Sequence, residues 1–371
     1  MYRKIIKTII SALFIAPVLF SCKDNGKYLS IGKPIFIREF PATGELREIE
    51  DFHLDEFSLR AIKVVDTLLF VDKWNFVNTE KGWAVYSLDG KRKYGECMRV
   101  GQGPGEFISY VPYVNDCFFT HENDSLFVYA PSDPRNTVFK LNITRFLSNN
   151  STVPYPAIES KHIGSDNWAT IPCGDGRVLL NRANDYFTGL NHLMYENDTV
   201  HQLPITREID EITVGKGGNL EDVNILGSVI HYNAAADKFV ETMVNFNQIN
   251  IYSADGTEGK TICVGKKLDN IRQVEQTPRD LRQTAYMTSA AWDEGFGAIY
   301  IGDIWPLEDQ PGKSQIQFFD WEGNPKYIVE LPYQAFAFDI DFTNKVMYVI
   351  NEAEDKMTAY DATEIVRSLR N

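Results

Sequence analysis

The segment "LLFVDKWNFVNTEKGWAVYSLDG", residues 68–90, holds two short strand-like runs that a polar loop separates and an Asp-Gly pair ends. β-Branched and aromatic residues dominate both runs, which is typical of strands. Asp89-Gly90 supplies the positive φ that a tight hairpin requires. Because "AIKVVDT" precedes the segment and "KRKYGECMRV" follows it, the sequence predicts a unit of four antiparallel strands.

The pattern recurs along the chain at intervals of roughly 50 to 60 residues. Its core runs are "LLFVD" (68–72), "LFVYA" (126–130), "VLLNR" (178–182), "KFVETM" (238–243), "AIYIGD" (298–303) and "VMYVIN" (346–351). Six units of four strands are typical of a β-propeller. A pair of β-sandwiches and an irregular β-solenoid are the alternatives. The predicted fold is therefore all-β, a six-bladed propeller of four-stranded antiparallel blades.

The sixth unit lacks an outer strand, because the chain passes after it into the helix-like tail "EIVRSLRN". Either "IFIREF" (35–40) or "LREIEDF" (46–52) is predicted to supply that strand and so close the ring, since closure removes exposed sheet edges. The predicted blades are approximately 59–107, 108–150, 165–205, 222–266, 285–332 and 335–364, the last completed by the N-terminal strand.

The glycine-rich stretch "GQGPGEF" (101–107) follows the first unit. It matches neither G-x-G-x-x-G nor G-x-x-x-x-G-K-[ST], Pro104 lacks an N–H, and the residues after it are not helical, so a phosphate cradle is disfavoured. We interpret the stretch as a structural link between two blades. Gly101, Gly103 and Gly105 would allow turns closed to other residues, Pro104 would stiffen the crossing, Glu106 would bind backbone N–H groups, and Phe107 would anchor the link between blades.

The first residues have a basic start, the apolar run "IISALFIAPVLF" and then "SC". This layout is typical of a secretory signal, and the apolar run is too short for a stable membrane span. It resembles a bacterial lipoprotein signal, in which the cysteine becomes acylated, although Phe20 is bulky for that motif; an ordinary signal is the alternative. The predicted organisation is a signal peptide (1–21), a tether lipid-attached at Cys22 (22–34) and a propeller (35–371), which places the protein in the cell envelope.

The chain is strongly acidic, with a formal net charge of −14. Removal of 1–21 would take away three positive charges and leave about −17, which disfavours binding to nucleic acid or anionic lipid. The four remaining cysteines, Cys97, Cys117, Cys173 and Cys263, form no C-x-x-C pair. They suggest neither a zinc site nor a redox pair, and both buried thiols and one or two disulfides fit the pattern.

The chain resembles the TolB-like and NHL-like six-bladed propellers, specifically lipoproteins that carry G-x-G-P-G-E-F between their first two blades. The resemblance rests on "VGQGPGEF", on strand pairs of the "LLFVD…VYSLDG" type and on the lipoprotein signal. It covers the mature chain, with the sharpest match in the first blade and a departure around "NRANDYFTGLNHLMYENDTV". The resemblance implies a fold and a cellular compartment, but it says little about an activity or a ligand.

In such a propeller, the links between blades and the turns between second and third strands open on one face, which we call the link face. Long, varied loops are predicted there, and such loops commonly carry binding sites. The candidate ligand residues are Trp74, Arg135, Tyr186, Asp303 and Trp305. Their aromatic and guanidinium groups suit a glycan or peptide, although each is also explained by packing within its own loop.

Catalytic and metal-binding signatures are absent from the sequence. No H-x-H, H-E-x-x-H or G-x-S-x-G occurs, so no metal or cofactor is predicted and catalytic residues stay unassigned. The acidic runs at 308–310 and 352–355 would suit calcium or an acid and base pair, but a solvated face explains them better. Asp133, Asp185 and Asp303 occupy corresponding blade positions and would either converge at the channel mouth or cap turns.

The sequence therefore favours a lipid-anchored, non-enzymatic binding module for a glycan, a peptide or a partner envelope protein. The main alternative is a lyase or hydrolase at the channel mouth, with Arg135 and Asp303 in acid and base roles. Propeller enzymes gather catalytic groups from several blades, so a short motif is not required. A purely structural part in an envelope complex is a third hypothesis.

Overall fold

The protein folds as a six-bladed β-propeller in a computed structural model. The structure describes residues 28–73, 82–103, 105–108, 111–132, 136–149, 153–164, 167–184, 188–215, 224–304, 312–351 and 353–371. Each blade is a meander whose first strand lies at the central axis, and each runs in sequence order from inner to outer strand. The predicted fold class is confirmed.

The first three blades have four antiparallel strands each. Blade one contains β3 (Leu59–Val65), β4 (Leu68–Lys73), β5 (Trp83–Ser87) and β6 (Lys93–Cys97). Blade two contains β7 (Phe118–Glu122), β8 (Ser125–Ser132), β9 (Thr137–Asn142) and β10 (Tyr155–Ile158). Blade three contains β11 (Asn167–Gly174), β12 (Arg177–Ala183), β13 (Leu190–Glu196) and β14 (Thr199–Gln202).

The last three blades repeat the meander, and the sixth lacks a fourth strand of its own. Blade four contains β15 (Ser228–Asn233), β16 (Lys238–Met243), β17 (Gln248–Ser253) and β18 (Gly259–Val264). Blade five contains β19 (Gln283–Trp292), β20 (Gly295–Ile304), β21 (Ser314–Phe319) and β22 (Pro325–Leu331). Blade six contains β23 (Ala335–Asp341), β24 (Val346–Asn351) and β25 (Lys356–Asp361).

Short helices occupy the connections. They are α1 (Ile143–Asn149), α2 (Ser160–Ile163), α3 (Arg207–Asp210), α4 (Ile271–Gln276) and the C-terminal α5 (Thr363–Arg370), with 3₁₀ turns at Val114–Asp116, Pro204–Thr206, Asn224–Leu226 and Arg279–Leu281. The helix expected in "EIVRSLRN" is α5, and it packs into the core between blades five and six. The outer strand of blade two, β10, lies beyond the expected range of 108–150, because α1 separates it from β9.

The N-terminal segment runs along the outer edges of three blades. β1 (Ile35–Ile37) pairs parallel with β18 of blade four, and β2 (Thr43–Gly44) pairs parallel with β22 of blade five. The segment then reaches blade six through an antiparallel bridge between Glu48 and Tyr360. The Ile49 N–H donates to the Ala359 carbonyl at 2.8 Å, and the Asp361 N–H donates to the Arg47 carbonyl at 2.9 Å.

The N-terminal segment therefore closes the ring, through 46–52 rather than 35–40. The expectation that "IFIREF" joins blade six is wrong, because Ile35–Ile37 covers the outer edge of blade four. The contact with blade six is one bridge and its flanking hydrogen bonds rather than a full strand. Each of these contacts covers part of a sheet edge that would otherwise expose unpaired backbone groups.

The hydrophobic core is divided among the six interfaces between neighbouring blades. Between blades one and two, for example, Phe107 packs on Phe139 with ring centroids 5.1 Å apart. The interface between blades six and one joins Ile62 and Leu69 to Tyr348 and Ile350 in the same way. The ring is thus closed by apolar packing as well as by backbone hydrogen bonds.

Candidate functional site

The main candidate site is a central pocket of about 420 Å³ on the link face of the propeller axis. All six blades contribute, mostly through the first residues of their inner strands, which begin at this face. The described lining is Arg60, Pro112, Tyr113, Asn115, Asp116, Pro131, Trp168, Ala169, Thr170, Ile171, Ser228, Val229, Ile230, Met287, Thr288, Phe336 and Ala337. Propeller geometry thus gathers distant sequence positions around one opening.

Arg60 organises one wall of the central pocket. Its Nε and Nη2 donate to a single carboxylate oxygen of Asp72 at 2.9 and 2.7 Å, and Nη2 also donates to the Val111 carbonyl at 2.8 Å. The guanidinium lies 4.2 Å from the ring centroid of Tyr113, a cation–π distance. Burial raises the pKa of Asp72 to about 8, although Arg60 opposes the shift. Arg60 therefore fixes the position of the link residues that line the pocket.

The rim of the central pocket offers an aromatic surface beside unsatisfied polar atoms. Trp168, the second residue of β11, is 39% exposed. Deeper in the lining, Asn115 Oδ1 and Thr170 Oγ1 are buried and have no hydrogen-bond partner among the described residues. Buried polar atoms are usually paired in folded proteins, so these two atoms are available to a ligand or to water.

A second pocket of about 190 Å³ continues along the axis towards the opposite face, which we call the turn face. It shares Asn115, Asp116, Ile171 and Ile230 with the central pocket, so the two pockets adjoin along the axis. Burial, together with the Lys63 ammonium, lowers the pKa of His231 to about 3, so this imidazole is neutral at pH 7.

A charged cluster lies buried between blades three and four. His192 Nδ1 lies 2.6 Å from Asp210 Oδ1, and its Nε2 lies 3.2 Å from Glu241 Oε1. Burial alone would lower the pKa of His192, but Glu241 and Asp210 outweigh it and raise that pKa to about 10. The adjoining cavity is only about 20 Å³, so this cluster connects blades rather than forming a ligand pocket.

The glycine-rich link is held by its own glutamate. The Gly103 N–H donates to Glu106 Oε2 at 2.7 Å, and a Cβ at Gly101 would overlap the same carboxylate. Gly105 has φ +72°, and a Cβ there would overlap the Pro154 carbonyl. Phe107 is fully buried. Glycine is thus required at 101 and 103 because the Glu106 side chain approaches the backbone closely. At 105 the positive φ is a second reason for glycine. Pro104 lies outside the described residues.

Most of the lipidation, ligand and acidic-run residues named from the sequence lie outside the described residues: Cys22, Trp74, Asp133, Arg135, Asp185, Tyr186, Trp305 and 308–310. Asp303 is described; it is exposed near the end of β20, where its carboxylate accepts from the Ile304 N–H at 2.8 Å. It is not part of the central-pocket lining. In the other acidic run, Asp355 accepts backbone N–H groups of Ser58 and Leu59, so it caps the entry to blade one.

Within the described part of the chain, no three His, Cys, Asp or Glu side chains are grouped as a metal site. Cys97, Cys117, Cys173 and Cys263 are all buried, and none of these four forms a disulfide in the structure. No helix in the described ranges is long and apolar enough to cross a bilayer.

Sequence reasoning missed Arg60, Asn115 and Trp168. The signal that could have found them is positional, because the first residues of each inner strand face the axis at the link face. Trp168 lies in a unit whose boundaries the repeat pattern left uncertain, and Asn115 lies in a link between blades.

No protein-family model matches this sequence, and no curated protein matches it. Among solved structures, a DUF4221-family member from Bacteroides vulgatus superposes with a TM-score of 0.54 over 86% of this chain and 97% of its own, at 9% identity. An auxiliary nutrient binding protein from Bacteroides thetaiotaomicron superposes with a TM-score of 0.46 over 82% of this chain and 70% of its own, at 10% identity. At such identities the likeness to the first concerns the fold alone, and the second carries no argument.

Proposed function

We propose that this chain is a lipid-anchored propeller of the cell envelope that binds a ligand in its central pocket. The membrane attachment would be the acylated Cys22, and the assignment to the TolB-like and NHL-like lipoprotein group belongs to the same proposal. The six-bladed fold, the "GQGPGEF" link and the N-terminal "FSC" support it together. The acidic net charge argues against a nucleic-acid ligand.

The observation that carries the binding proposal is the exposed face of Trp168 next to the unpartnered Asn115 Oδ1 and Thr170 Oγ1. A flat aromatic surface beside convergent polar atoms fits a ligand with one apolar face and several hydroxyl or amide groups. A sugar residue of a glycan has this character, and we favour it over a peptide or a partner envelope protein. A pocket of about 420 Å³ accommodates a ligand of one or a few such residues.

The test is a screen of the mature protein against arrayed glycans and peptides, read out by thermal shift. Trp168→Ala should abolish the shift produced by the best ligand, while Trp168→Phe should retain most of it. Because Trp168 is partly exposed, both variants should fold like the wild type. A ligand that binds Trp168→Ala as tightly as the wild type would place binding elsewhere on the molecule.

The alternative of a lyase or hydrolase is decided by product detection in the same screen. Among the described pocket residues, the charged groups are Arg60 and Asp116, and a pair of carboxylates of the kind found in glycosidases is not among them. Binding without product supports the proposal, and turnover of a bound glycan or peptide would replace it with an envelope enzyme.

A further inference from the structure

The route of the first described residues fixes the face from which the N-terminal tether leaves the propeller. The Leu29 carbonyl accepts from the side-chain amide of Gln248, the first residue of β17, which begins at the link face. Two residues later, the Ile31 N–H donates to Thr261 Oγ1 at 2.7 Å, and Ile31 lies against Gly259, where β18 begins at the turn face. The chain therefore enters between blades three and four from the link face.

The length of the tether is short compared with the propeller. Only six residue steps separate Cys22 from Tyr28, and even a fully extended chain of that length spans about 20 Å. If Cys22 carries the lipid, as the proposed function requires, the link face is held within that distance of the bilayer surface. The turn face cannot approach the same bilayer unless the tether passes around the propeller.

The most exposed apolar side chain also lies on the link face. Phe57, Ile108, Trp168 and Leu281 lie in the links or at an inner-strand start on the link face, and Phe57 is 71% exposed. Val153, Tyr155 and Val200 are exposed as well, where the fourth strands of blades two and three begin at the turn face, but Phe57 is the most exposed large hydrophobic residue of the described chain. Exposed apolar side chains gain free energy when they enter an interfacial lipid layer.

The first turns of the turn face are acidic. The first turn of each of blades one to five carries an exposed aspartate: Asp66, Asp124, Asp175, Asp237 and Asp293. Carboxylates are repelled by an anionic lipid surface and remain best solvated in water. The link face carries exposed carboxylates as well, among them Asp280, Asp303 and Asp355, so the tether exit and Phe57, rather than charge, orient the molecule.

We infer that the link face rests on the bilayer that holds the Cys22 lipid, so that the central pocket opens towards the membrane. The occupant of this surface is the headgroup layer, which Phe57 and Leu281 contact. The inference rests on the proposed lipidation and extends it, because a ligand would then be taken up at the membrane surface rather than from the facing solvent.

The experiment uses the acylated protein reconstituted in phosphatidylcholine vesicles. A fluorophore is attached to either Asp280→Cys on the link face or Asp175→Cys on the turn face, two exposed aspartates that form a matched pair. The native cysteines of the described chain are buried, so labelling is confined to the new thiol. Quenching by headgroup-nitroxide lipids should be several-fold stronger at position 280 than at 175.

Flotation with the vesicles is measured first, because it tests the anchor separately. A protein that does not float refutes the lipid anchor and, with it, the inference. A protein that floats but shows equal quenching at the two positions, or stronger quenching at 175, refutes the orientation alone. Adding Phe57→Ser and Leu281→Ser should weaken quenching at 280 without changing flotation, and unchanged quenching would refute their contact with lipid.

Discussion

The imidazole of His192 in blade three lies 3.2 Å from the carboxylate of Glu241 in blade four, and both side chains are fully buried. A second carboxylate, that of Asp210, holds the other ring nitrogen. An imidazolium between two carboxylates connects blades three and four, which also meet through apolar side chains and through the ion pair of Arg177 with Asp237.

This arrangement predicts that stability falls at alkaline pH. The pKa of His192 in the folded protein, about 10, exceeds the ordinary value of 6.5, so folding is favoured by proton binding. The contribution is fully present below pH 6.5 and is lost as the pH rises through about 10. The urea midpoint should therefore decrease between pH 7 and 10.

Substitution of the histidine separates this contribution from the rest of the protein. His192→Gln should lower the free energy of unfolding at pH 6 by about 3–5 kcal/mol, because it leaves two buried carboxylates without a cation. It should also flatten the pH dependence above pH 7. The exposed His201→Gln is the control and should change neither quantity; an unchanged pH slope in His192→Gln would contradict the assignment.

The glycine-rich link predicts a coupling between Gly101 and Glu106. Gly101→Ala should destabilise the protein by about 1–3 kcal/mol, since the new methyl group overlaps the Glu106 carboxylate. In a Glu106→Ala background, the same substitution should cost less, by at least about 1 kcal/mol. Gly176→Ala, with φ +74° and no neighbour within 4 Å, should cost the same in both backgrounds. Equal costs for Gly101→Ala in the two backgrounds, measured by urea unfolding, would exclude the steric explanation.

The wall of the central pocket depends on a buried ion pair. Arg60→Met should lower stability by about 1–3 kcal/mol, because the buried Asp72 carboxyl group and the Val111 carbonyl then lose their hydrogen-bond donor. The double variant Arg60→Met/Asp72→Leu should be more stable than Arg60→Met, since no buried carboxyl group is left unpaired. If the double variant is the less stable of the two in urea unfolding, the ion pair is not what holds this wall.

Thiol titration tests both the cysteine state and the proposed acylation. The four buried cysteines should fail to react with a thiol reagent in the folded protein, and burial raises the pKa of Cys173 to about 12. Four thiols should appear after unfolding in denaturant. A fifth, rapidly reacting thiol in the folded mature protein would show that Cys22 is not acylated, and fewer than four would indicate a disulfide.

The repeating strand pattern was sufficient to predict the propeller, because each blade encodes its own strands and turns locally. The glycines of the predicted turn pairs, Gly90 and Gly256, indeed have φ of +73° and +68°. The path of Ile35–Ile37 along blade four was not predictable in this way. Its partner strand lies more than two hundred residues later in the sequence, and such a distant pairing leaves no local signal.

The sequence predicted which face of the propeller carries the central pocket, but not which residues line it. The position of "GQGPGEF" identified the link face, yet the candidate residues were chosen from loops. Arg60 and Trp168 instead belong to inner strands, where their side chains converge only because six blades surround one axis. Such convergence depends on closure of the ring, which a linear pattern does not contain.

The N-terminal segment also sets the order in which the molecule is completed. Its contacts with blades four to six join positions as far apart in sequence as Arg47 and Asp361, 314 residues away. During synthesis, residues 47–49 must therefore wait for β25 before they can pair, whereas Ile35–Ile37 needs only β18. Contacts of such sequence separation form slowly, so blade six stays open until β25 has been made. A chain without β25 would leave Arg47 and Ile49 without their partners.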